Sequence, residues 1–225
     1  MELQDAIRGR KSIRHFLPKP VARETLREIL ELAARAPSAE NTQPWEFYVA
    51  AGEILDKIRA ENVEKVRNAE MPPPEMHHIL VERAKGSIFR ERQVQIGKEL
   101  FRLMDIQRDD TAKRAAWRER GFRYFDAPAA IIVVADKSLP VEGTFLDVGG
   151  VMQTICLAAL DFGLHTCIEN QGITYSDVVR KHADIPDTKR LVIAVAIGYP
   201  DWDFPANKVE SRREPIDNVI TWRGI

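Results

Sequence analysis

The chain has 225 residues, enough for one substantial hydrophobic core, so a single domain over 1–225 is expected. With 44% apolar and 30% charged residues and a formal net charge of −1, it has the balance of a soluble globular protein. It offers no cationic surplus for nucleic acid or an anionic membrane.

The first residues, Met1-Glu2-Leu3-Gln4-Asp5, carry acids where a signal peptide carries bases. No apolar run reaches the roughly 18 to 20 residues of a membrane span. Val21 to Arg35 places Leu26, Ile29, Leu30 and Ala33 at helical spacing, with Arg and Glu on the other face. Pro37 stops that helix, because the residue before a proline avoids the helical region. Glu46 to Ala50 alternates and carries aromatic and β-branched residues, the pattern of a strand. Ile54 to about Arg123 is highly charged and mostly helical in pattern, with Pro72-Pro73-Pro74 as a loop inside it. This stretch, about 54–125, is expected to be mostly helical.

Ala129 to Ala135 is short, β-branched and wholly apolar, which predicts a strand buried on both faces. Phe145 to Phe162 is a helix with Val148, Met152, Ile155, Cys156, Ala159 and Leu160 on a broad apolar surface, and Gly163 stands where a left-handed cap belongs. Leu191 to Ile197 is the last strong strand, closed by Gly198-Tyr199-Pro200. The tail beyond it holds Trp202, Phe204 and Trp222 and is too aromatic for a solvated linker, so it is expected on another surface, such as a second subunit. Two cysteines, Cys156 and Cys167, fit buried thiols in a reducing cytoplasm better than a disulfide framework.

Two segments carry chemistry. Arg10-Lys11-Ser12-Ile13-Arg14 offers three cations and a hydroxyl, the groups that grip a phosphate ester through charge-assisted hydrogen bonds. If the chain is extended there, Arg10, Ser12 and Arg14 share one side. The plainer alternative is a solvated basic segment ending the first helix, where cations suit the helix dipole. Pro37-Ser38-Ala39-Glu40-Asn41-Thr42-Gln43-Pro44 sets Ser, Asn and Gln side chains between prolines, just before a strand. Asn and Gln present both donor and acceptor, so they can pair with a ligand edge that carries both. The alternative is a loop and cap between helix and strand. No Gly-x-Gly-x-x-Gly follows a strand, and no P-loop, Gly-x-Ser-x-Gly elbow or His-Glu-x-x-His is present. His77 and His78 have no carboxylate or cysteine at ligand spacing, so no metal site is expected. A cofactor must therefore carry any redox reaction.

In this order and spacing, the two segments resemble the signature segments of the nitroreductase family of FMN enzymes, and the resemblance covers nearly the whole chain. The stretch Gly198-Tyr199-Pro200 through Ser211-Arg212-Arg213-Glu214-Pro215 is similar to the family's C-terminal segment. Gly149-Gly150 through Leu164-His165-Thr166-Cys167 is similar to its long central helix, which forms much of a dimer interface. Residues from Ile106 to Phe125 resemble a subgroup associated with nitrobenzoate-type reductions. This chain departs from that subgroup at Gly121, where an asparagine is frequent. Tyr124 and Phe125 are either an aromatic wall over the flavin or core residues, and Met71, Met76, His77 and His78 are candidates to line or cover the pocket.

The resemblance implies an α+β fold with a mixed β-sheet flanked by helices, intertwined as a homodimer. It implies bound FMN, with NADH or NADPH as hydride donor and a nitroaromatic, quinone or similar electron-poor acceptor in ping-pong order. Arg10, Lys11, Ser12, Arg14 and Arg213, with Arg212 beside it, would hold the phosphate and ribityl chain. Gln171 and Gly172, or else Asn170, would place a backbone N–H at the reactive flavin nitrogen. Pro37, Ser38, Ala39, Asn41 and Gln43 would approach the flavin from the partner subunit. No side-chain acid or base is implied. The same fold also serves reductive dehalogenation, flavin fragmentation and substrate dehydrogenation, and a flavin-binding protein without turnover is a further alternative.

Overall fold

The structure, a computed structural model, describes residues 2–79 and 82–225. Along the chain run α1 (Leu3–Gly9), α2 (Arg23–Ala33), β1 (Trp45–Ala51), α3 (Gly52–Arg67), α4 (Ile88–Leu103) and α5 (Thr111–Phe122). They are followed by β2 (Ala129–Asp136), α6 (Val141–Asp161), β3 (His165–Glu169), α7 (Ser176–Ala183) and β4 (Lys189–Gly198). The four strands form one sheet in the order β1-β2-β4-β3, and each neighbouring pair is antiparallel. The sheet is therefore antiparallel rather than mixed in its strands; one isolated parallel bridge joins Ser12 to Thr166 on the outer edge of β3.

β2 is apolar throughout because it is covered on both faces. Ala130, Ile132 and Val134 pack with Leu55 and Ile58 of α3 and with Val178 and Val179 of α7. Ala129, Ile131 and Val133 pack with Leu26 and Ile29 of α2 and with Val148, Val151 and Ile155 of α6. A sheet between two helical layers follows from this period-two alternation. Each fully buried Ile or Val contributes about 1.5–3 kcal/mol relative to exposure.

α6 is, among the described residues, the one helix long and apolar enough to cross a membrane. Here it is a core helix that keeps Val148, Val151, Ile155, Cys156, Ala159 and Leu160 inside and leaves Leu146 exposed. Gly163, at φ +67°, ends it: its N–H reaches Leu160 O, and Leu164 N reaches Ala159 O. The chain then turns directly into β3, so His165 to Cys167 are strand rather than a continuation of the helical stretch. Cys156 and Cys167 are buried free thiols.

Between 54 and 123 the described residues form α3, α4 and α5, joined by non-helical links and one short 3-10 turn, Pro74–Ile79. Ser87 and Asp110 cap α4 and α5 by accepting the N–H of Arg90 and Lys113. Met76 is buried in the core and Met71 is exposed, while the side chains of His77 and His78 lie outside the described residues. The tail packs partly on its own chain: Phe204, Ala206 and Val209 sit against Leu100 of α4. Past Pro215, Ile216, Val219, Trp222 and Ile225 are exposed.

Candidate functional site

Arg10 caps α1, and the next residues run along the edge of β3. Ile13 N–H donates to Thr166 O at 3.0 Å. The alternation expected of extended backbone is present: Ile13 is fully buried, whereas Arg10, Ser12 and Arg14 are half-buried, as is Lys11. The Ser12 hydroxyl lies beside the Cys167 thiol, whose pKa is pushed up to about 12, chiefly by burial. No carboxylate pairs with Arg10, Lys11 or Arg14 among the described residues; the Arg14 guanidinium reaches only Ser12 O, at 3.2 Å.

The far end of this segment is locked by a residue with no sequence signal, Asn207, which is fully buried. Its Oδ1 accepts Arg14 N–H at 2.6 Å, and its Nδ2 donates to His15 O at 2.8 Å and Asp201 O at 2.7 Å. Arg120 of α5 adds a second lock, donating to Arg14 O and to His15 Nδ1, both at 3.0 Å, with its guanidinium over the Phe204 ring. Arginine only donates, so His15 Nδ1 is an acceptor and Nε2 carries the proton, facing Asp201 at 3.8 Å. Burial, then the Arg120 charge, holds the His15 pKa below its ordinary value, consistent with that neutral tautomer. The candidate phosphate segment is thus tied to α5 and to the segment after β4 at once.

β3 leads into the turn Gln171–Ile173, where Ile173 N bonds Asn170 O and Thr174 N bonds Gln171 O. Such a turn leaves its leading N–H groups free of internal partners, ready for an acceptor. Behind it, Tyr124, Phe125 and Asp126 occupy the left-handed region in succession, at φ 56°, 52° and 62°. Non-glycine residues pay for that conformation, and here surrounding contacts over-determine it. Arg59 donates to Arg123 O and Ala127 O on either side, and Arg123 binds Asp126 in a bidentate pair at 2.9 and 2.7 Å. Tyr124 is fully buried and Phe125 nearly so; both are core residues rather than an exposed wall.

The tyrosine hydroxyl donates to Gly172 O at 2.6 Å, and Asn62 Nδ2 donates to the same carbonyl at 3.2 Å. Gly172 has to be glycine, since a Cβ would stand 2.4 Å from the Tyr124 ring. At Gly121, a Cβ would meet Gln171 Oε1 at 1.9 Å. The Gln171 carboxamide therefore fills the space a side chain at 121 would take, and its Nε2 donates to Arg118 O at 3.2 Å.

The Pro37–Gln43 loop lies elsewhere, against α6. Ala39 N–H reaches Asp147 at 3.2–3.3 Å, and Gln43 N–H donates to Ser38 Oγ at 2.9 Å. Glu40, Asn41 and Gln43 all have positive φ, at 51°, 58° and 46°. Pro37, Ala39, Asn41 and Gln43 are exposed and Ser38 is half-buried. Among the described residues, no hydrogen bond joins this loop to the Arg10–Arg14 segment or to the Asn170–Gly172 turn. Within one chain the described residues thus show no hydrogen bond between the two signature segments.

Arg212 and Arg213 line a cationic cavity of about 880 Å³ against α4, with Arg92, Lys98 and Arg102. Arg213 Nη1 bonds only Ser211 and Arg212 O, and neither arginine is joined to the Arg10–Arg14 segment. FMN fits what this chain presents: half-buried cations, without carboxylate partners among the described residues, stand beside the strand that leads into the N–H-bearing turn. Those are the donors a phosphate ester and a flavin edge require.

A profile of the "Nitroreductase family" matches residues 7–199. The chain is 33% identical over 223 residues to the nitrobenzene nitroreductase of Ectopseudomonas oleovorans, covering 98% of this chain and 96% of that protein. It is 31% identical over 224 residues to the 4-nitrobenzoate reductase of Nocardioides sp. (strain LMS-CY), covering 99% and 90%. Among solved structures, the FMN and NADPH-dependent nitroreductase NfnB from "sphigopyxis sp. strain HMH" matches with a TM-score of 0.91 at 29% identity, over 100% of both chains.

Proposed function

The chain belongs to the nitroreductase family, and from that premise we propose that it is an FMN-dependent oxidoreductase. It takes hydride from NADH or NADPH and reduces a nitroaromatic, quinone or similar electron-poor acceptor in ping-pong order. FMN, when bound, supplies the hydride-accepting and hydride-donating chemistry.

The protein binds, orients and shields. Arg10, Lys11, Ser12 and Arg14 hold the phosphate and ribityl chain, joined by Arg213 with Arg212 beside it. The Asn170–Gly172 turn directs backbone N–H groups at the reactive nitrogen, kept in place by Tyr124 and Asn62 through Gly172 O. Pro37, Ser38, Ala39, Asn41 and Gln43 complete the site from the second subunit of a homodimer. That assignment accounts for the exposure of Pro37, Ala39, Asn41 and Gln43 in a single chain. Protons come from solvent or substrate, and no side-chain acid is assigned.

One observation carries this proposal. The Ser12–Thr166 bridge sets the cationic segment on the strand that runs directly into the N–H-bearing turn. The test is the double variant Arg14→Ala, Arg213→Ala. A folded protein with much less bound FMN is expected, and full flavin occupancy would overturn the assignment.

A further inference from the structure

Glu169 ends β3, immediately before the Asn170–Gly172 turn, and is only 7% exposed. Among the described residues, neither of its carboxyl oxygens has a hydrogen-bond partner. The charged and titratable groups facing it are Arg59 of α3, Tyr124 of the left-handed turn and Cys167 of its own strand. The Arg59 guanidinium is already spent on Asp56, Arg123 O and Ala127 O, so it bonds the backbone around the Tyr124 turn and not Glu169. An ionised carboxylate with no hydrogen bond is among the costliest groups to bury, and a carboxyl so placed keeps its proton.

The second unpaired polar atom around Gly172 points the same way. Asn62 spends its Nδ2 on Phe122 O and Gly172 O, leaving a buried Oδ1 without a donor. A lone acceptor oxygen has no proton to give, so it supplies nothing that would stabilise a buried negative charge there. Burial raises the Glu169 pKa well above the ordinary carboxylate value.

We propose that Glu169 is a charge-setting positioning residue of the cofactor site: a neutral carboxylic acid behind the Asn170–Gly172 turn that keeps negative charge away from the electron-accepting group in front. The inference rests on the proposed function, because it takes that turn as the wall of the flavin site. A carboxylate here would oppose the arrival of an electron pair across one turn of backbone, in a medium that screens poorly. By reciprocity, a reduced cofactor tightens the acid's hold on its proton.

The test uses the purified protein and infrared difference spectroscopy of the protonated-carboxyl C=O stretch. Wild type should show this band at neutral pH, and Glu169→Gln should lose it. The band should also shift when the bound flavin is reduced with dithionite. Absence of the band in wild type would overturn the neutral acid, and this measurement needs no variant. A band that ignores flavin reduction would leave a structural acid only and overturn its role toward the cofactor. A protein that shows the band but takes up no FMN would overturn that role by removing the proposed function, a failure read separately in the visible spectrum.

Discussion

Asn207→Ala removes a single side chain that holds the candidate phosphate segment at three points. Its three hydrogen bonds, at 2.6, 2.7 and 2.8 Å, go to Arg14 N, Asp201 O and His15 O. A typical hydrogen bond contributes about 1 kcal/mol net, and a buried group left unpaired costs about 1–3 kcal/mol. His15 O also accepts from Asp201 N at 3.3 Å, so the largest penalty falls on Arg14 N–H. The sum is about 3 kcal/mol, which for a chain of this size lowers the unfolding midpoint by roughly 6–12 °C. Thermal unfolding at matched protein and FMN concentrations measures it, since bound ligand shifts the midpoint by mass action. Flavin retained through gel filtration should fall as well, because Arg14 loses its fixed position. An unchanged midpoint with full flavin would refute the idea that Asn207 organises this segment.

Gly172→Ala drives a methyl into the Tyr124 ring and should strip flavin from the protein, whereas Gly97→Ala, on α4 with open space around its Cβ, should leave the flavin content unchanged; equal flavin content in both contradicts the packing account. Folded Glu169 holds its proton more tightly than the unfolded chain, where glutamate titrates near about 4.3. Its stabilising contribution is complete below that pH and is lost as pH rises towards the folded value, so Glu169→Gln should gain on wild type from about pH 5 to 8 in urea unfolding. Parallel curves for the two proteins would count against the neutral acid. Folded His15 titrates below the unfolded value of about 6.5, so its share of stability is present above that pH and is lost as pH falls towards the folded pKa. His15→Gln should flatten this acid limb, and an unaltered limb would remove the Arg120-to-His15 hydrogen bond from the account.

The elements legible in the sequence are those whose pattern is local. β2 and β4 announce themselves as apolar β-branched runs, α6 by its broad apolar surface, and Gly163 by its place after the last helical residue. β3 is only five residues long and follows that cap with one residue between, so it reads as the tail of the helical stretch. α7 is short and mostly polar, with little beyond Val178 and Val179 to mark it. The signature segments are recognisable by residue type and order. Asn207 and Glu169 are not, because their importance comes from burial made by distant parts of the chain: α3, the Tyr124 turn and the segment after β4. Gln171 was legible as a candidate, but its contact with Gly121 across the fold was not. The Pro37–Gln43 loop is recognisable by its residues, but what it meets is not written locally: among the described residues its one hydrogen-bond partner outside the loop is Asp147 of α6.

The most direct test of the central claim is the visible absorption spectrum of the purified protein, recorded before and after anaerobic addition of NADH or NADPH. An oxidised flavin spectrum that bleaches on addition is predicted, followed by recovery when a nitroaromatic or quinone is supplied. A colourless protein that also fails to take up added FMN would contradict the account.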